Sequence, residues 1–119
     1  MKIILDTNFL IDCLRFRIDL KSELKGNELF IIDSIMPEIK KISERKTKES
    51  TLAKMVLNLI VENKFKLLES KNRDTDESLF LYSKEGYAIA TQDRVLKNKI
   101  KKAGGKIIYI RQKKYVSFE

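Results

Sequence analysis

Several carboxylates of this chain stand where an α/β protein places its chemistry. Asp6 ends the apolar run Ile3-Ile4-Leu5 and is followed at once by a helix-like pattern. Asp93 ends a second such stretch, Tyr87-Ala88-Ile89-Ala90 and then Thr91-Gln92. In an open parallel sheet, ligands sit just outside the carboxyl ends of the strands, so an acid there is placed for chemistry. The competing role for Asp6 is to cap the helix that follows. Glu38 lies one turn into a helix beside the inward residues Ile35, Ile39 and Ile42, where it either reaches the same crevice or simply suits the helix dipole. Asp74, Asp76 and Glu77 open the helix before the fourth strand, and Asp74-x-x-Glu77 doubles as a cap arrangement. Asp33 reads as an N-cap rather than a ligand. Three or four such acids crowded together repel one another unless a cation neutralises them. Mg²⁺ or Mn²⁺, which take oxygen ligands and retain waters, fit that demand. Such an ion polarises a phosphodiester, supplies hydroxide and stabilises the leaving oxygen.

What the chain lacks narrows the chemistry further. It contains no histidine and one cysteine, Cys13. That excludes a Ser-His-Asp triad, a Cys-His pair, a histidine base, an intrachain disulfide and multi-cysteine zinc. Cys13 lies on an apolar helical face and reads as core. No apolar run approaches the ~20 residues a membrane span needs, and no signal-peptide pattern is present, so a cytoplasmic protein without membrane contact is expected. The net charge of +8 is uneven. Residues 94–119 carry nine Lys and Arg against Glu119 alone, whereas the remainder balances at 16 of each sign. Arg94, Lys97, Lys99, Lys101 and Lys102 fall on the helix after Asp93, beside the acids, and suggest a polyanion partner. The plainer alternative is a solvated lysine-rich face.

Hydrophobic spacing supplies the elements that would position these groups. Strands are expected at Ile3 to Leu5, Leu29 to Ile32, Phe65 to Leu68, Tyr87 to Ala90 and Lys106 to Ile110, with a short extra strand at Tyr115 to Phe118. Helices fall between them: Asn8 to Arg15, Ile18 to Lys25, one after Asp33-Ser34, one capped by Ser50, one from Asp74 or Thr75 to Gly86, and one from Thr91 or Gln92 to Gly104-Gly105. Strands alternating with helices imply right-handed crossovers and a parallel sheet covered on both faces. Residues 1–119 read as a single domain.

Four segments, taken together, resemble the motifs of PIN-domain ribonucleases. Leu5-Asp6-Thr7-Asn8-Phe9-Leu10 is similar to the opening motif, and Asp33-Ser34-Ile35-Met36-Pro37-Glu38-Ile39-Lys40-Lys41 to the second. Thr75-Asp76-Glu77-Ser78-Leu79 resembles the third and Ile89-Ala90-Thr91-Gln92-Asp93-Arg94 the fourth. The similarity is greatest to the archaeal and eukaryotic branch that processes small-subunit precursor ribosomal RNA. It implies a three-layer PIN-like α/β domain with a central parallel five-stranded sheet of order 3-2-1-4-5. It further implies that Asp6, Glu38, Asp76 and Asp93 hold Mg²⁺ or Mn²⁺ and hydrolyse RNA, with Asn8, Thr91, Asp74 and Glu77 supporting them. Two departures stand out. The third motif carries Asp76-Glu77 where adjacent aspartates are usual, and Val95 stands where an acid is common, which thins any second metal site.

The leading expectation is a single-strand RNA endonuclease of ribosomal RNA maturation, leaving a 3′ hydroxyl and a 5′ phosphate. The alternatives are a VapC-type toxin ribonuclease paired with an antitoxin, and a non-catalytic RNA-binding assembly protein on the same fold. Apolar residues around Phe16 and Ile18 are candidates for a homodimer contact or for the seat of an antitoxin or assembly factor. A receiver domain is set aside, because strand three ends in Glu69-Ser70 rather than aspartate.

Overall fold

A computed structural model describes all residues, 1–119. The elements run β1 (Lys2–Leu5), α1 (Thr7–Arg15), α2 (Leu20–Glu23), β2 (Glu28–Ile32), α3 (Ile35–Ser43), α4 (Lys48–Asn63), β3 (Lys66–Leu68), α5 (Thr75–Lys84), β4 (Ala88–Ala90), α6 (Arg94–Lys102), β5 (Ile107–Arg111) and β6 (Tyr115–Phe118). The central strands are continuous apolar runs because both faces are covered: Ile3, Ile4, Leu5, Ile31, Ile32, Ala88, Ile89 and Ala90 are fully buried. They form one sheet of order β3-β2-β1-β4-β5-β6. Every pairing is parallel except β5 with β6, an antiparallel addition at the edge. The expected order 3-2-1-4-5 is therefore present, extended by one strand. No helix is long and apolar enough to cross a membrane.

Helices α1, α3 and α4 pack together, as do α5 and α6. Right-handed crossovers leftward from β1 and rightward through β4 put the two groups on opposite faces. The order in which strands are added reverses between β1 and β4, which run parallel and pair through Leu5 and Ala90. Just past that pair, the Asp6 amide donates to the Ala90 carbonyl at 2.9 Å. The helices that leave the carboxyl edge of the sheet, α1, α3, α5 and α6, begin there. Their N-terminal partial charges consequently face the same crevice.

Local differences from the sequence expectations have identifiable causes. Ile18 and Leu20 are core, and Phe16 packs half-buried against it, so this segment is not an exposed apolar contact surface. Cys13 is buried as expected. Helix α4 starts at Lys48, two residues before Ser50, whose hydroxyl turns back to the Thr47 carbonyl at 2.6 Å. Helix α6 starts at Arg94, because Asp93 rather than Thr91 or Gln92 is its cap. Asp33 does not cap α3. Its Oδ1 accepts from Ser70 N at 3.1 Å and Ser70 Oγ at 2.5 Å, tying the ends of β2 and β3 together. Gly105 closes the α6 turn where a Cβ would lie 2.6 Å from Ile100 Cγ2.

Gln92 carries the β4–β5 ladder beyond the strand. Main-chain bonds run from Ile89 N to Lys106 O and from Thr91 N to Ile108 O, both 3.0 Å. The next donor, Ile110 N, is accepted by the Gln92 side-chain Oε1 at 2.8 Å. Replacing Gln92 with alanine leaves that amide without an acceptor. Such an orphaned group typically costs about 1–3 kcal/mol. Gln92→Ala should lower the urea midpoint accordingly, and an unchanged midpoint would show that water replaces the bond.

Candidate active site at the carboxyl edge of the sheet

Asp6 is 7% exposed, with its side chain at the end of β1. Oδ1 accepts from the Thr7 amide and Oδ2 from the Thr91 hydroxyl, both at 2.8 Å. Thr91 Oγ1 in turn accepts from the Asp93 amide at 3.2 Å. One hydroxyl thus fixes the two aspartates that leave adjacent strands. Asp6 caps α1, and it is also drawn into a buried network that no cap requires. Burial pushes its carboxyl up from 3.8 to about 6, the two hydrogen bonds oppose the rise, and the charges of Asp76 and Glu38 add to it.

Asp76 and Glu38 come from different faces of the sheet edge. Ser34, ahead of α3, and Thr75, at the start of α5, share a 3.0 Å hydroxyl contact that holds the two helix starts together. Glu38 sits in the first turn of α3 and is solvent-exposed. Asp76 lies in the first turn of α5, and its carboxyl is raised by partial burial and then by Asp93 and Asp74. Asp93 Oδ1 accepts from Leu96 N at 3.1 Å as the cap of α6. Asp6 feels the charges of Asp76 and Glu38, and Asp76 those of Asp93 and Asp74, so acids from four segments influence one another at this edge of the sheet. No three of them already stand close enough to close round a metal ion.

The supporting residues separate by role. Asp74 is the α5 cap, accepting from Asp76 N at 2.9 Å. Glu77 makes a 3.0 Å ion pair with Lys99 and so faces α6. Asn8 is exposed and lines a cleft of ≈ 340 Å³ beside Asp93, with Ile11, Asp12, Arg15, Glu49 and Gln92. Sequence reasoning missed Asp12, Arg15 and Glu49. Arg15 bridges Asp12 at 2.5 Å and also pairs with Glu49 from α4. Gln92 Nε2 reaches Asp12 Oδ2 at 3.4 Å. The available signal was the spacing of Asn8, Ile11, Asp12 and Arg15, one face of α1; Glu49 carried none.

The expected RNA-facing cations are not equivalent. Lys99 is tied to Glu77 and lies 4.3 Å over the Phe80 ring. Lys101 pairs with Glu119 at 2.7 Å. Arg94, Lys97 and Lys102 make no ion pair.

Hard oxygen donors are what Mg²⁺ or Mn²⁺ require. Asp6 keeps lone pairs beyond its two hydrogen bonds, Glu38 and Asp76 have no cationic partner, and the acids raise one another's charge cost. The donor set fits a divalent ion in type, although the side chains must close further to surround it.

Comparison with known proteins shows the family. Ribonuclease VapC4 of Methanocaldococcus jannaschii is 33% identical over an alignment of 123 residues, spanning 96% of this chain and 93% of that protein. A solved domain of a functionally unknown protein from Methanocaldococcus jannaschii DSM 2661 matches with a TM-score of 0.67 at 17% identity. It covers 92% of this chain and 91% of that one, a likeness of fold alone. The family model described as a PIN-like domain matches residues 3–113, and the chain belongs to that family.

Proposed function

We propose that the protein is a divalent-metal-dependent endoribonuclease of the VapC kind, its activity held in check by an antitoxin. The observation that carries the nuclease reading is the buried Asp6 carboxylate, joined through Thr91 to Asp93 and feeling Asp76 and Glu38, none of the four acids being ion-paired. Asp6, Glu38, Asp76 and Asp93 would hold Mg²⁺ or Mn²⁺. When bound, the ion supplies a polarised phosphodiester and an activated water. Thr91 keeps Asp6 aimed into the crevice, and the Asp93 cap fixes where α6 begins. With no histidine in the chain, no side chain here has an ordinary pKa suited to acting as a neutral-pH base. The similarity to a VapC ribonuclease supports the toxin role better than ribosomal RNA maturation. The four-motif resemblance keeps the latter as the second reading.

Purified protein should cleave single-stranded RNA only with Mg²⁺ or Mn²⁺. Asp6→Asn and Asp93→Asn should each reduce cleavage by more than about 100-fold, of the order seen when a group essential to the transition state is removed. Equal cleavage by wild type and both variants would discard the enzyme. Expression should arrest growth, with relief by a small protein encoded beside the gene. Growth unaffected by a protein that still cleaves RNA would favour RNA processing instead.

Asp6 also predicts a pH signature in the metal-free protein. Its folded pKa lies above the unfolded one, so the native state binds the extra proton between about 4 and 6. Its contribution to stability is therefore greatest at acid pH and is lost as pH rises through about 6. A shift of roughly 2 units corresponds to about 3 kcal/mol. Wild type minus Asp6→Asn, measured by denaturation in EDTA, should show this fall. Adding Mn²⁺ at pH 7 should recover it in wild type only. A difference that does not vary with pH would mean that Asp6 is better solvated than its burial indicates.

A further inference from the structure

The cations of α6 are divided between unlike surroundings, and that division selects a path for RNA. Arg94, Lys97, Asn98 and Lys101 fall on one side of the helix, at helical spacing, and face β5. With Ile107, Tyr109 and Glu119 they enclose a cleft of ≈ 280 Å³. The Lys97 ammonium lies 4.6 Å over the Tyr109 ring. Glu119 is the cleft's one acid, already engaged by Lys101 at 2.7 Å and by the Tyr109 hydroxyl at 3.1 Å. Arg94 and Lys97 thus make no ion pair, and Arg94 and Lys101 act against the Lys97 charge while Glu119 and Asp93 favour it. Burial and then the neighbouring Arg94 hold the Lys97 ammonium below the ordinary lysine range. On the side toward α5, by contrast, Lys99 is matched by Glu77 and packed on Phe80, and Val95 is 78% exposed. That side offers a neutral, partly apolar surface.

Resting on the nuclease reading, we propose that the cleft between α6 and β5 is a phosphate subsite for the RNA strand, in which Arg94 and Lys97 grip one backbone phosphate next to the carboxylate crevice. Arg94 follows Asp93 directly, so a strand whose scissile bond lies at the acids passes over the first turn of α6 into this cleft. A phosphodiester placed between the two cations turns their repulsion into charge-assisted hydrogen bonds, with Arg94 able to donate in bidentate fashion. Tyr109 and Asn98 line the same cleft, where the attached ribose would lie. Lys99 is not part of this path, and Lys102, which makes no ion pair, does not line the cleft.

The test measures single-stranded RNA affinity by fluorescence anisotropy in EDTA, where cleavage is blocked, across a series of salt concentrations. Arg94→Gln and Lys97→Gln are compared with Lys102→Ala, which removes the same charge from the same helix outside the cleft. Each phosphate contact on a single strand contributes about 0.7 to the log–log salt slope. The double variant Arg94→Gln/Lys97→Gln should bind about tenfold or more weakly and flatten the slope measurably, by up to about 0.7 for each phosphate released. Lys102→Ala should change both only slightly. If Lys102→Ala weakens binding as much as Arg94→Gln, attraction is diffuse and the subsite does not exist. Arg94→Gln replaces an exposed residue, so its result stands even if Lys97→Gln proves unstable by thermal melt. Wild type that cleaves RNA with Mn²⁺ while the Arg94 and Lys97 variants bind normally would refute the subsite and leave the nuclease intact. Wild type that neither binds nor cleaves RNA would refute both.

Discussion

A carboxylate removed from water and left without a counter-charge is costly to ionise, and Asp6 is in that position. The Thr91 hydroxyl and the Thr7 amide offset part of the cost, and Asp76 and Glu38 increase it. The rest of the carboxyl edge is arranged around this imbalance. β1 must lie beside β4 for Thr91 to reach Asp6, and Thr91 must hold the Asp93 amide for α6 to start where it does. The Ser34–Thr75 contact then sets the distance at which the α3 and α5 acids act on the same point. A rigid, apolar sheet makes the arrangement persistent, because its central strands leave no room for Asp6 to withdraw.

Charges elsewhere show how the molecule separates attraction from chemistry. Cations close to the acids are mostly spoken for: Arg15 by Asp12 and Glu49, Lys99 by Glu77. No cation is paired with Asp6, Glu38, Asp76 or Asp93. Arg94 and Lys97, which make no ion pair, stand in the first turn of α6 on its β5 side. An acidic crevice beside a basic cleft lets a polyanion be drawn in by one surface while its reacting bond lies over the other. A salt-screened surface pair contributes little to stability, so the pattern of pairing is better read as positioning than as reinforcement.

Much of this was legible before any coordinates. The strands announced themselves as short apolar runs, with Asp6 and Asp93 following two of them. Gly86 and Gly104 marked helix ends because both adopt positive φ, +96° and +81°. Cap assignments were the weak point. Asp33 and Thr91 are capping types next to helical patterns and Gln92 was a possible helix start, yet Asp33 binds Ser70, Thr91 binds Asp6 and Gln92 replaces a strand carbonyl. Short polar side chains bond with whatever partner lies within reach, and that partner is chosen by segments far away in sequence. The same holds for Phe16 and Ile18, whose apolar character shows that they are buried somewhere but not by what.

The sequence by itself determined the element order and the parallel sheet, and it named the candidate acids, because hydrophobic period and strand-end position are local properties. It also excluded histidine chemistry, an intrachain disulfide and multi-cysteine zinc. Only the tertiary structure decided which cations are free. Lys97, Lys99 and Lys101 are indistinguishable in a lysine-rich string, and they differ only because Tyr109, Glu77 and Glu119 come to them from other elements. Charge is written in the chain, but its neutralisation depends on distances that folding alone sets.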